Sequence, residues 1–246
     1  MSAEGRPESI DLMARVAGAL WVITILCGIF AEAYARGQLI VTDNPVATAH
    51  NIMAAQGLFR LGVVADLVTA ASMAGATVIL YEIFRASSRP LALGQLSFGL
   101  GGCIILAAGL ANLSEPLILL GRLAPFGGMT APSLNLLALG ALKSYSVAYT
   151  VSLSFFAIQV GCLGLLILKS RLVPRVFGIL FLIEAAINTF YPYSILLAPA
   201  FAAKLFPLIL LPGFPAEAGF SGWLLLFGIR QNRSTSVVPA EATASN

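Results

Sequence analysis

A chain of 246 residues that is 59% apolar and only 10% charged has less than half the charge share, roughly 25%, of a water-facing domain, so lipid must solvate much of its surface. The net charge of +3 is spread thinly, without a Lys/Arg run, which excludes a nucleic-acid footprint. The mean hydropathy of +0.92 and the pI near 8.9 fit a membrane protein whose loops meet anionic headgroups.

In chain order, six apolar stretches reach the ~20 residues that a helix needs to cross a hydrocarbon core of about 30 Å. They cover 14–34, 59–83, 92–118, 145–168, 175–197 and 206–229. They predict an all-α polytopic membrane helix bundle of about six transmembrane helices. This domain, 13–230, lies between a cytoplasmic N-terminal segment, 1–12, and a disordered cytoplasmic tail, 231–246.

The first stretch has the length of a signal-peptide core, and Ala31-Glu32-Ala33 fits a cleavage site. Glu4, Glu8 and Asp11 cancel the positive charge such a leader needs, so the stretch is read as a retained helix. In the loop 35–57, Asp43-Asn44-Pro45 is a helix start, a capping side chain followed by proline. It predicts a short interfacial helix over Val46–Gln56 ended by Gly57. The loop 122–143 carries Gly127-Gly128 and Pro132 ahead of a separate apolar segment, Leu134–Leu142. The sixth stretch is broken by Pro207, Pro212 and Pro215, so its helix is expected only from about Ala216.

Orientation follows from the basic residues. An N-in, C-in arrangement puts nine of them on the inner side and five on the outer. The short loops Arg85–Arg89 and Lys169–Arg175 are the clearest markers. Arg15-Val16-Ala17-Gly18-Ala19-Leu20 and Arg175-Val176-Phe177-Gly178-Ile179-Leu180 share the pattern R-V-x-G-x-L at the starts of two helices, an internal echo.

Charges within a span cost about 2.5–3.5 kcal/mol at its centre, so they should face the bundle interior or an interface. Asp66 begins a face continued by Thr69, Met73 and Thr77. Tyr145, Tyr149, Ser152, Phe156 and Gln159 form a stripe, as do Glu184, Asn188 and Tyr191. With N-in, these groups gather in the outer half, together with Glu32 and Glu217, and Glu184 lies near mid-depth. The expectation is a polar pocket open to the outer side, built from Arg60, Asp66, Asn112, Glu115, Tyr145, Tyr149, Glu184, Asn188 and Tyr191. The plainer reading makes Arg60 and Asp66 a structural ion pair and the tyrosines an interfacial belt.

His50 stands alone in an outer loop, and Cys27, Cys103 and Cys162 are scattered through apolar stretches. No metal site, haem ligation or other cofactor is expected from them. No hydrolase, P-loop or dinucleotide fingerprint is present in the sequence.

Two blocks carry a resemblance. The first runs from Ala49-His50-Asn51-Ile52 through Leu58-Phe59-Arg60-Leu61-Gly62 to Ala65-Asp66-Leu67. The second comprises Phe155-Phe156-Ala157, Gly164, Ser170 and Leu172-Val173-Pro174-Arg175-Val176-Phe177-Gly178. With Ala14-Arg15-Val16-Ala17-Gly18, they resemble the bacterial membrane family called domain of unknown function 4386, over roughly residues 12–230. The resemblance implies a six-helix inner-membrane protein and no particular activity. Glu184-Ala185-Ala186 departs from the family form, which has a small residue and a glycine there, and the third helix starts without the basic residue expected.

The leading expectation is a non-enzymatic protein of the inner membrane that binds a small or lipidic ligand, or a membrane protein partner, through the outer pocket. The alternatives are an intramembrane enzyme with Glu184 and Asp66 as acid and base, and a small proton-coupled transporter.

Overall fold

In lipid a backbone can satisfy its hydrogen bonds within one segment only as a helix, and long apolar runs separated by proline, glycine and short polar turns produce that here. The computed structural model describes residues 5–121, 128–205 and 208–229. The tail expected to be disordered, 231–246, lies outside them, as do residues 1–4.

Helix α1, Gly5–Ile29, runs into a π-helical segment, Phe30–Arg36, and a last turn, α2, Gly37–Leu39. The short α3, Pro45–Ala54, is followed by the long helices α4, Gln56–Phe84, and α5, Arg89–Leu119. Next come α6, Ala131–Ser170, and α7, Arg175–Leu197. The chain closes with α8, Pro199–Leu205, a 3-10 turn over Leu208–Leu210, and α9, Gly213–Phe227. Among the described residues, five segments are long and apolar enough to cross a membrane: Ser9–Leu39, Gln56–Phe84, Arg89–Leu119, Ala131–Ser170 and Arg175–Leu197. The chain is a multi-pass, all-α membrane protein.

Four boundaries differ from the expectation. The sixth stretch yields a helix of 15 residues, about 22 Å long, that starts at Gly213, three residues ahead of the expected Ala216, because Pro212 caps it and Pro215 is tolerated in its first turn. The apolar segment Leu134–Leu142 is not separate but is part of the 40-residue α6, about 60 Å long, since nothing after Pro132 breaks the helix. Gly57 does not end α3; the break falls at Ala55, and Gly57 lies in the first turn of α4. Helix α5 does begin with a basic residue, Arg89, three residues before the stretch expected. The Asn44 cap is as expected, its side chain accepting the Ala47 N–H at 3.0 Å.

The helices form a closed ring. Helix α1 packs on α4, α4 on α5, α5 on α6, α6 on α7, and the short α9 fills the gap between α7 and α1. Outward faces carry exposed Leu26, Ile104, Val147 and Leu226, a surface suited to acyl chains. One end of the ring bears α3 and the other the N-terminus.

Toward the N-terminal end the ring is filled. Trp21, Leu80, Leu163, Phe181, Phe220 and Leu224 are fully buried in a single cluster. Trp21, Phe181 and Phe220 meet pairwise with ring centroids 5.8, 5.6 and 5.1 Å apart. Both glycines of the sequence echo stand at close helix crossings. A Cβ at Gly18 would lie 2.7 Å from the Ser221 carbonyl oxygen of α9, and one at Gly178 would lie 2.9 Å from that of Gly164 in α6. Asp11 and Arg15 fasten the C-terminal end of α9. Arg15 pairs with Asp11 at 3.0 Å and donates to the Leu225 and Leu226 carbonyls at 3.3 Å, while Asp11 accepts from the Ile229 N–H.

Candidate functional site

Inside the ring the ionisable side chains gather in two clusters, with one tyrosine between them.

The first cluster depends on the π segment. Its wider turn buries Ala31, Ala35 and Arg36 and leaves Glu32 facing out. Gly62 of α4 permits this approach, because a Cβ there would stand 2.9 Å from that of Ala35. One turn deeper on α4, Asp66 receives the Arg36 guanidinium, with Nη2–Oδ1 at 3.2 Å and a second, shorter contact between Nη1 and Oδ2. Arg36 Nε donates to Glu32 Oε2 at 2.9 Å, and its guanidinium carbon lies 5.1 Å from the centroid of the Tyr145 ring of α6. Arg36 is 8% and Asp66 4% exposed, so this bidentate pair is desolvated and well satisfied.

The second cluster joins α7, α9 and α1. Glu184, 4% exposed, accepts from Asn188 Nδ2 at 3.3 Å through Oε1, and its Oε2 has no hydrogen-bond partner. The Glu217 carboxyl of α9 lies within hydrogen-bonding reach. The Trp21 indole N–H is turned toward Glu217 without completing a bond. Gly213 lets the start of α9 ride against this carboxylate, since a Cβ there would meet Glu184 Cγ at 3.2 Å. Among the described residues, neither Glu184 nor Glu217 has a cationic partner.

Tyr149 stands between the clusters. Helical spacing sets it on the same face of α6 as the buried Tyr145, Ser152 and Gln159, so it points inward. It nevertheless keeps 36% of its surface exposed, within electrostatic reach of Glu32, Arg36, Asp66 and Glu217. On α1, Gly28 lies two turns beyond Trp21 on the same face, and a Cβ there would meet nothing within 4 Å. Tyr149 and Gly28 are thus two positions on the ring's helices where space is left unfilled.

Of the residues expected to form one pocket, Asp66 and Tyr145 belong to the first cluster and Glu184 and Asn188 to the second, with Tyr149 between. Tyr191 is buried but packs with Leu153 and Ala202. Arg60 is exposed and does not pair with Asp66; Arg36 takes that place because the π segment, not the start of α4, brings a cation to that depth. Asn112 is half-buried and Glu115 exposed on α5, and no hydrogen bond or ion pair among the described residues joins them to either cluster. Arg36 and Glu217 were not among the expected site residues. The i, i+4 spacing of Glu32 and Arg36 at the end of the first stretch was the available signal for the former. A further polar knot, with Gln159 donating to Thr77 Oγ1 at 2.9 Å and Gln95 to the Thr77 carbonyl at 3.4 Å, ties α4, α5 and α6 together.

Two surface hollows lie elsewhere. One is lined by Tyr81, Arg85, Ala86 and Arg89 at the turn between α4 and α5, the other by α3 and the facing ends of α5 and α6. Among the described residues no three His, Cys, Asp or Glu side chains converge to hold a metal.

The sequence model of the family described as Domain of unknown function (DUF4386) matches residues 16–228. The chain belongs to that family. No curated protein and no solved structure matches it.

Proposed function

We propose that this DUF4386 protein is a six-span protein of a bacterial inner membrane that binds a small or lipidic ligand in a crevice open to the extracytoplasmic side. The observation that carries the reading is Tyr149, turned into the ring yet 36% exposed, between an ion-paired cluster and a carboxyl pair. Basic residues favour the N-in orientation, which turns the α3 end outward. The 3-10 turn and the residues before α9 would complete a sixth crossing. The aromatic plug of Trp21, Phe181 and Phe220 closes the crevice below, which favours binding over passage.

A second reading, an intramembrane enzyme, draws on Glu184 and Glu217, two carboxyl groups within mutual reach. Asp66 suits acid–base work less well than expected, because Arg36 occupies both its oxygens.

The test is single-cysteine labelling. With Cys27, Cys103 and Cys162 replaced by alanine, Tyr149→Cys should react with a membrane-impermeant maleimide added from the outside of intact cells. Leu163→Cys, buried at the plug, should not react. A Tyr149→Cys that reacts from neither side would refute the crevice.

A further inference from the structure

At the end of the ring opposite α3, the turn joining α4 to α5 holds a hollow of about 540 Å³ walled by Tyr81, Arg85, Ala86 and Arg89. It lies between the last residue of one span, Phe84, and the first of the next, Arg89. That is the level at which hydrocarbon gives way to headgroups. Charge here is one-sided. Arg85 pairs with Glu82 at 2.9 Å, but Arg89 has no ion pair among the described residues. The turn between α6 and α7 adds Lys169, Arg171 and Arg175, which have none either. Val173 of that turn is buried in the same cluster as Phe84 and Ala92, so both turns stand at one end of the ring. Five cations thus face a single carboxylate, Glu82, across the two turns. Helix α5 starts beside the hollow with no side-chain cap, which adds the positive end of its dipole.

The walls continue into the membrane as apolar surface. Val78, three residues before Tyr81, and Leu93, four after Arg89, fall on the same helix faces and are exposed. A free phosphate would meet the arginines but gain nothing from that apolar track. A zwitterionic lipid would use the track but bring its own ammonium against Arg89. An anionic phospholipid uses both, its phosphate accepting from the guanidinium groups and its chains covering the aliphatic side chains. We propose that this hollow seats the headgroup of an anionic phospholipid, its phosphate between Arg85 and Arg89 and its acyl chains along Val78 and Leu93. The site lies at the opposite end of the ring from the one that carries α3, and it stands whether or not a ligand binds near Tyr149.

The experiment titrates the full chain, purified in detergent, with lipid and counts bound molecules by native mass spectrometry. Dioleoylphosphatidylglycerol and dioleoylphosphatidylcholine share their chains and differ in net charge. The first bound phosphatidylglycerol should be held at least about tenfold more tightly than the first phosphatidylcholine. Arg85→Gln with Arg89→Gln should remove that preference. Arg60→Gln with Lys143→Gln removes the same charge from exposed positions at the α3 end and should keep it. Inorganic phosphate at the concentration of the lipid should not displace phosphatidylglycerol.

Equal binding of the two lipids, or an undiminished preference in the Arg85/Arg89 variant, would overturn the proposal. So would an equal loss in the Arg60/Lys143 variant, which would make the preference a property of net charge. Displacement by inorganic phosphate would make the hollow a site for the free anion and overturn the lipid assignment. Each variant's melting temperature is recorded beside the titration. Should the Arg85/Arg89 variant fail to fold, Arg89→Gln alone carries the test, with an expected loss of about fivefold for the one unpaired charge; an unchanged affinity there would overturn the proposal.

Discussion

The Arg36–Asp66 pair allows the sharpest energetic test. Arg36→Met removes the cation paired with Asp66, which is 4% exposed and has the Tyr145 hydroxyl nearby. Breaking a buried pair by deleting one partner costs about 3–5 kcal/mol, because an uncompensated charge remains. Asp66→Asn is the milder change, since Arg36 keeps Glu32, whose side chain is 58% exposed, and the asparagine oxygen still accepts. Its expected cost is about 1–3 kcal/mol, that of an imperfectly satisfied buried group. In the double variant no orphaned carboxylate remains, so its loss should fall at least about 2 kcal/mol short of the sum of the two singles. The assay is equilibrium unfolding in mixed dodecyl maltoside–SDS micelles, followed by circular dichroism. An Arg36→Met cost below about 1 kcal/mol, or additivity in the cycle, would refute the reasoning. An equally large loss in Arg60→Met would return the ion pair to Arg60.

Other substitutions probe the frame around the site. Gly228→Ala should lower the melting temperature clearly, because residue 228 has φ of 64° and a Cβ there would lie 1.7 Å from Asp11 Oδ1. Gly28→Ala, where a Cβ would meet open space, should leave stability unchanged or raise it by less than about 1 kcal/mol in the same unfolding assay. Gly178→Val should cost about 1–3 kcal/mol or more by forcing α6 and α7 apart at Gly164, read out as a lower SDS midpoint. Thr77→Val should cost about 1–3 kcal/mol by stranding the buried Gln159 amide, and Gln159→Leu in that background should recover part of it.

The membrane class, the helical architecture and the inward faces could be read from the sequence, because each depends on local composition and period. Too few charges for water forces lipid, lipid forces helices, and spacing then assigns Asp66, Tyr145, Glu184 and Asn188 to the interior. The Asn44 cap and the echo glycines at positions 18 and 178 are local features of the same kind. What the sequence could not supply is anything set by the meeting of distant segments. Arg36 and Asp66 are 30 residues apart, and their pairing depends on a π turn and a glycine on the facing helix. Glu184 and Glu217 are brought together because the prolines before α9 shorten it to 15 residues, so that it wedges between α7 and α1. The sequence placed acids in one half of the bundle. Only the tertiary structure decided which of them is neutralised by a cation and which two meet each other instead, since charge compensation in lipid depends on who stands opposite.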